Sequence, residues 1–417
     1  MRRESDDPRA ASGKEAMMGR LKISRTGDWK TATQSARIES AGLVELYLCA
    51  RPSPDASGFA DQARSMYNNL FDALVHHGAK PKNVITERVF FSDVDRQFRD
   101  LEKIRNHCYN GLLDVSEYLP ATIFLHQPPS HTGRLCELQV YAAFAKGDDG
   151  PKVRTLEDLP GLASGKVVEY GGHHHIYLMN LTGGEGPGDG MDFTAQATDM
   201  FRRAQALLQR EGASFSGVLR TWIYVNNMER DYAALNRVRT RFFRTNQVTR
   251  LPASTGIQGA TYPRERGCAM DVYTVAGDPP VEAHVLHAPT MNEAPRYGSA
   301  FSRGMKVVGE DRITLYVSGT ASIDTEGNVV HVGDFQGQAR RMLVNVEQLL
   351  ASQDAGFGDL VSAITYLKEP RFLDTFLEVC AERSFPADIP NAISVADICR
   401  PEWLCEIEGI AVRPKNG

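Results

Sequence analysis

The chain has 417 residues and a formal net charge of −5, with 42% hydrophobic and 24% charged residues. That is a globular composition, long enough for two or three domains, and it lacks the basic excess that binding to a phosphate backbone requires. No apolar run approaches the ~20 residues that span a bilayer, so neither nucleic acid nor a membrane is an expected partner.

Residues 1–20 are charged and carry no apolar core. They read as a disordered leader rather than a signal peptide. The seven cysteines are scattered and never spaced as CxxC, which argues against a disulfide framework and a structural zinc site. A reducing cytoplasmic setting is the expectation.

From residue 21 onward the same series of elements occurs three times. A strand with alternating apolar residues comes first: ELYLCA at 45–50, HIYLMN at 175–180 and TLYVSG at 314–319, with Tyr47, Tyr177 and Tyr316 in the same place. Amphipathic helices follow at 59–79, 193–213 and 335–356. Each opens with Phe-x-x-Gln-Ala and ends near a glycine that suits a C-cap. Next come β-branched strands at 84–93, 218–227 and 360–369, and a second amphipathic helix after each. The segments YLPATIF, RLPASTGI and DIPNAISV then lead into closing strands at 133–144, 267–277 and 403–412. A repeat of this length is one small domain.

The Pro- and Gly-rich stretches 146–161 and 277–298 read as linkers. The expected boundaries are 21–148, 149–280 and 281–417. Each unit is expected to fold as strand–strand–helix–strand–helix–strand–strand, an α+β layer with both helices on one face of a sheet. Three units in one chain predict a ring about a pseudo-threefold axis, an intramolecular pseudo-trimer that needs no second subunit. A monomer is expected.

This unit resembles the reactive-intermediate deaminase family (RidA/YjgF), whose members are homotrimers with active sites between subunits. The Gln-bearing helix, the Leu-Pro-Ala corner and the closing Glu-Ile-Glu-x-Ile-Ala strand carry the resemblance. The family's deaminases place an arginine just after the proline corner. Here the corners read Pro120-Ala121-Thr122, Pro252-Ala253-Ser254 and Pro390-Asn391-Ala392, without it. Repeats two and three also resemble the chorismatases, through SAFSR (299–303), SGTASI (318–323), HVGD (331–334), ADICR (396–400) and EIEG (406–409). That resemblance implies a catalytic acid at Glu406. Chorismatases are expected to carry two such units, which would make repeat one an addition.

An enol ether is cleaved most readily by protonating its terminal carbon, so a carboxylic acid must keep its proton near neutral pH. Burial achieves this by disfavouring the charged form. Glu406 and Glu408 alternate with Ile407, so they share a strand face. One of them faces a cleft, or both meet water or arginine. Arg303 and Arg400 are the candidates for gripping substrate carboxylates, since a planar guanidinium holds them bidentately; surface ion pairing is the alternative. Ser318 and Thr320 offer hydroxyls to the substrate, or belong to an ordinary turn. Cys399 shapes the pocket or fills the core. Glu137, Asp271 and Glu406 are expected to occupy one position in the three closing strands.

GGHHHIYL (171–178) puts His173 and His175 on one strand face without a third ligand at suitable spacing, so no metal is expected. GGEGPGDG (183–190) is expected to be a hairpin loop, not a phosphate loop. No cofactor is implied. The expected activity is that of a chorismatase-like hydrolase or lyase acting on a small carboxylate. An enamine or imine deaminase and a non-catalytic carboxylate binder are the alternatives.

Overall fold

The computed structural model describes residues 21–40, 42–110, 119–145, 150–184 and 189–415. The expected leader and part of the glycine-rich loop (185–188) lie outside these residues.

Repeat one contains β1 (Lys22–Thr26), β2 (Thr33–Ser40), β3 (Leu43–Ala50), α1 (Gly58–His76), β4 (Val84–Phe91), α2 (Val94–Asn110), β5 (Ala121–His126) and β6 (Cys136–Ala145). Repeat two contains β7 (Lys152–Thr155), β8 (Ser164–Tyr170), β9 (His173–Thr182), α3 (Phe193–Arg210), β10 (Val218–Val225), α4 (Met228–Thr245), β11 (Ala253–Gln258) and β12 (Cys268–Ala276). Repeat three contains β13 (Glu282–Val285), β14 (Gly304–Val308), β15 (Arg312–Ala321), α5 (Phe335–Ala351), β16 (Leu360–Leu367), α6 (Leu373–Glu382), β17 (Asn391–Val395) and β18 (Cys405–Pro414).

Each repeat forms one six-stranded sheet in the same order, β1-β2-β3-β6-β4-β5 in the first. Only the last pair in each, such as β4 with β5, runs parallel. The sheets therefore hold one strand more than the sequence suggests. The extra strands β7 and β13 lie inside the stretches read as linkers. They are short, largely exposed edge strands paired on one side, so they carry no apolar alternation to reveal them.

The helices bury one face each. In α3 this face is Ala197, Met200, Phe201, Ala204, Leu207 and Leu208, the spacing of a single stripe. Asp192 and Asp334 cap α3 and α5 by accepting from Ala195 N and Gly337 N. Gly78 and Gly212 follow α1 and α3 at positive φ, whereas after α5 Asp354 takes the left-handed conformation instead of a glycine.

The repeated Gln of Phe-x-x-Gln-Ala holds the turn before each closing strand. Gln62, Gln196 and Gln338 accept from the backbone N–H of Leu135, Gly267 and Leu404. Gln62 and Gln338 also donate to Gly133 O and Glu402 O.

The three units close into a ring, as expected. Backbone bridges join His126 to Ala260, Ile257 to Ile398 and Pro129 to Ser394, one for each pair of repeats. On the axis, Tyr47, Tyr141, Tyr177, Tyr273 and Tyr316 form a belt, with ring centroids 4.8–5.7 Å apart from one neighbour to the next. No helix among the described residues is long and apolar enough to cross a membrane.

Candidate active site

The register of the closing strands decides which carboxylates correspond. Phe90, Tyr224 and Tyr366 pair with Glu137, Ala269 and Glu406; Arg88, Trp222 and Ile364 pair with Gln139, Asp271 and Glu408. Asp271 is thus the counterpart of Glu408, not of Glu406. The expected alignment holds for Glu137 and Glu406 and fails for Asp271, by two residues. Counting along the sequence misses this because the closing turns differ.

A β-bulge interrupts β15 opposite β18. Val317 pairs with Gly409 and Thr320 with Ile407, so Ser318 and Gly319 face the single residue Glu408. Bulges re-aim side chains and recur beside active sites. Here the bulge brings the bare Cα of Gly319 against the Glu406 carboxyl: a Cβ on Gly319 would lie 2.1 Å from Glu406 Oε1.

Glu406 is 4% exposed, and no hydrogen bond reaches its carboxyl among the described residues. Burial, reinforced by the charge of Glu408, pushes its pKa up to about 8, against the opposing pull of Arg303 and Arg220. This is a carboxylic acid at neutral pH. The cleft it faces lies between repeats two and three. Tyr232 and Arg239 of α4 and Ser254 and Gly256 of β11 form one wall; Phe301, Arg303, Cys399 and Trp403 form the other.

Arg303 lines this cleft while its Nε and Nη2 donate to Asn292 O and Oδ1 at 2.8 and 3.0 Å. Arg239 and Arg303 both lie over the Phe301 ring, at 5.4 and 5.7 Å from its centroid. The inner space beside Glu406 is small, ≈ 20 Å³, and shares Tyr232 and Cys399 with a wider neighbouring basin of ≈ 790 Å³. Arg400 sits in that basin, its Nη1 donating to Gly327 O at 2.7 Å and its guanidinium 5.0 Å above Trp403. Arg237, Arg241 and Arg244 of α4 join it, against the single acid Glu229.

Cys399 lies where the inner cleft meets the basin. Burial and the neighbouring Glu406 push its thiol up to about 12, so it is not a thiolate at neutral pH. Ser318 and Thr320 are fully buried and turned to backbone. Ser318 Oγ donates to Ser302 O at 2.6 Å and accepts from Ser254 N at 3.0 Å; Thr320 Oγ1 donates to Ser318 O at 2.8 Å. They pin the bulge and the joint between repeats rather than line the cleft.

The structure thus gathers Glu406, Arg303, Cys399 and Arg400, and sets Ser318 and Thr320 behind them. Sequence reasoning missed Tyr232, Arg239 and the arginine row of α4. The run NRVRTRFFR at 236–244 was the available signal.

The equivalent position in repeat one is closed. There the β3–β6 pairing runs on without a bulge. Glu137 is buried in an ion pair with Arg51 at 2.9 Å and lies 3.4 Å from Arg134. Repeat two has Ala269 at this place. His173 and His175 lie elsewhere, near the axis: His173 meets Gly171 O and Pro279 O, and His175 meets the Tyr273 hydroxyl.

The family model described as Endoribonuclease L-PSP matches residues 179–276 and 291–413. The chain belongs to this family, the RidA/YjgF superfamily. 3-Hydroxybenzoate synthase of Streptomyces hygroscopicus is 27% identical over 233 residues. The match covers 48% of this chain and 65% of that protein, a little under two thirds of its length. A RutC family protein of Sulfurisphaera tokodaii is 30% identical over 108 residues, 26% of this chain and 82% of that one. The crystal structure of a chorismatase superposes with a TM-score of 0.59 at 18% identity, covering 88% of this chain and 98% of that chain. Repeats two and three alone are too short to supply that coverage. The shared fold therefore extends into repeat one, which is not an addition to a two-unit architecture.

Proposed function

We propose that the protein is a chorismatase-like hydrolase or lyase acting on chorismate or a related enolpyruvyl-bearing cyclic carboxylate. The observation that carries this reading is Glu406, a buried carboxyl with a pKa of about 8 in a cleft walled by arginines. The relationship to 3-hydroxybenzoate synthase supports it.

In this reading Glu406 gives its proton to the terminal methylene carbon of the enol ether. The C=C electron pair forms the new C–H bond, leaving an oxocarbenium ion. Water adds to the ether-bearing carbon of that ion, and its proton returns to the Glu406 carboxylate. The hemiketal then collapses to pyruvate and the ring alcohol. Arg303 and Arg239 hold a substrate carboxylate in the inner cleft, and Arg400 and the α4 arginines draw the anion into the basin. Cys399 and Phe301 supply the apolar wall. A well-placed general acid contributes roughly 10²–10⁴ in rate.

The test is pyruvate release from chorismate by the purified protein, with Glu406→Gln beside it. Release that falls by about 10² or more in the variant, with the fold retained, is expected. Equal release from both proteins would remove Glu406 from the chemistry. No release from folded wild-type protein would remove chorismate as the substrate.

A further inference from the structure

Glu408 stands two residues from Glu406 on the same face of β18 but has the opposite surroundings. Both of its oxygens are taken by repeat two: Arg220 Nη2 donates to Oε2 at 2.7 Å, and Trp222 Nε1 donates to Oε1 at 2.6 Å. A guanidinium and an indole N–H can only donate, so Glu408 acts as an acceptor on both oxygens, the role of the ionised form. Arg220 also donates to Thr255 Oγ1 at 2.6 Å, and that hydroxyl accepts from Gly319 N at 3.0 Å. The same arginine therefore reaches both Glu408 and the bulge that supports Glu406. Trp222 is held between Arg88 and Arg220, whose guanidinium carbons lie 4.0 and 4.7 Å from its centroid.

Glu408, Arg220 and Trp222 are absent from the cleft wall. They line the cavity on the pseudo-threefold axis, further along the same face of the catalytic strand. They do not touch the space a substrate would fill, so any effect they have on the chemistry passes through Glu406. Successive residues on one face of a strand lie about 6.5–7 Å apart. At that range, in a buried setting, one carboxylate opposes the ionisation of another.

We propose that Arg220 and Trp222 of repeat two fix Glu408 as a buried carboxylate that stands beside Glu406 on one strand face and opposes its ionisation. Glu408 is a positioning residue, and through it repeat two adds to the burial that already favours the acid form in repeat three. The role in catalysis rests on Glu406 being the general acid; the effect on its protonation does not. The other charges facing Glu406 are Arg303, from the loop before β14, and Arg220 itself, and both oppose the effect of Glu408. Tyr232 and Arg239 of α4, Tyr366 of β16 and Cys399 with Arg400 complete the titratable surroundings.

The experiment is an infrared titration of the full chain, following the protonated-carboxyl band that Glu406→Gln removes. In the wild type this band should persist until pH about 8. In Glu408→Gln its midpoint should fall, with the acid dissociation constant rising about tenfold or more. In Arg303→Met, which removes a cation that faces Glu406 and leaves Glu408 with both of its donors, the midpoint should rise. Opposite shifts are not what a merely structural role would give. An unmoved midpoint in a folded Glu408→Gln protein, or a shift of the same sign in both variants, would overturn the proposal. The titration reads Glu406 whether or not chorismate is turned over, so failure here is distinct from failure of the proposed reaction.

Discussion

Gly319→Ala tests whether the bulge in β15 exists to seat Glu406. The added Cβ would lie 2.1 Å from Glu406 Oε1, 3.0 Å from its Cδ and 3.1 Å from Thr255 Cγ2. Ordinary contact between a carbon and an oxygen begins at about 3.2 Å, so the carboxyl has to retreat by about 1 Å. Gly319 does not have a positive φ, so the penalty comes from contact and not from backbone strain. The Glu406 side chain can swing toward the cleft, which limits the overpacking cost to about 1–3 kcal/mol. A displacement of about 1 Å in a reacting group costs about 10² in rate. The variant should therefore fold, melt a few degrees lower and lose about two orders of magnitude in kcat for pyruvate release. Gly358→Ala, where a new methyl meets nothing within 4 Å, is the matched control. Wild-type kcat in Gly319→Ala, with Glu406→Gln inactive, would refute the claim that this glycine fixes the position of the acid.

Three further predictions follow from the same cleft. Because Glu406 titrates near 8 when folded and near 4.5 when unfolded, the native state holds an extra proton between those values. Stability should then fall as pH rises from 4.5 to 8. Glu406→Gln lacks this slope, so its thermal midpoint should gain on the wild type with rising pH, by on the order of a few kcal/mol in stability at pH 8; parallel melting curves across that range would contradict the burial argument. Cys399 has a thiol pushed up to about 12, so alkylation by iodoacetamide at pH 7 should be slow and Cys399→Ala should keep more than about a tenth of the activity; complete loss would make the sulfur a participant. The arginine row of the basin should make kcat/KM fall as salt rises from low to physiological strength, with kcat little changed, and Arg241→Glu should flatten that dependence.

Local patterning determined a good deal of this protein. The three-fold repetition, the buried stripe of each first helix and the placement of Glu406 on a closing strand all follow from periodicities of 3.6 and 2, which are properties of neighbouring residues. The candidates Arg303, Arg400 and Cys399 could be named because each lies in a short stretch that resembles the chorismatases and carries a guanidinium or a thiol. The edge strands β7 and β13 were not legible, because an exposed strand paired on one side has no apolar face to betray it. Only the tertiary structure could decide which carboxylates correspond, since inter-strand register is set by pairing and bulges and not by distance along the chain. It alone turned Ser318 and Thr320 away from the cleft, brought Tyr232 and Arg239 across from repeat two, and joined Arg220 to Glu408, 188 residues further along the chain. The pKa of Glu406 belongs to this second class, because desolvation and the charge of a neighbour exist only once the repeats have closed around it.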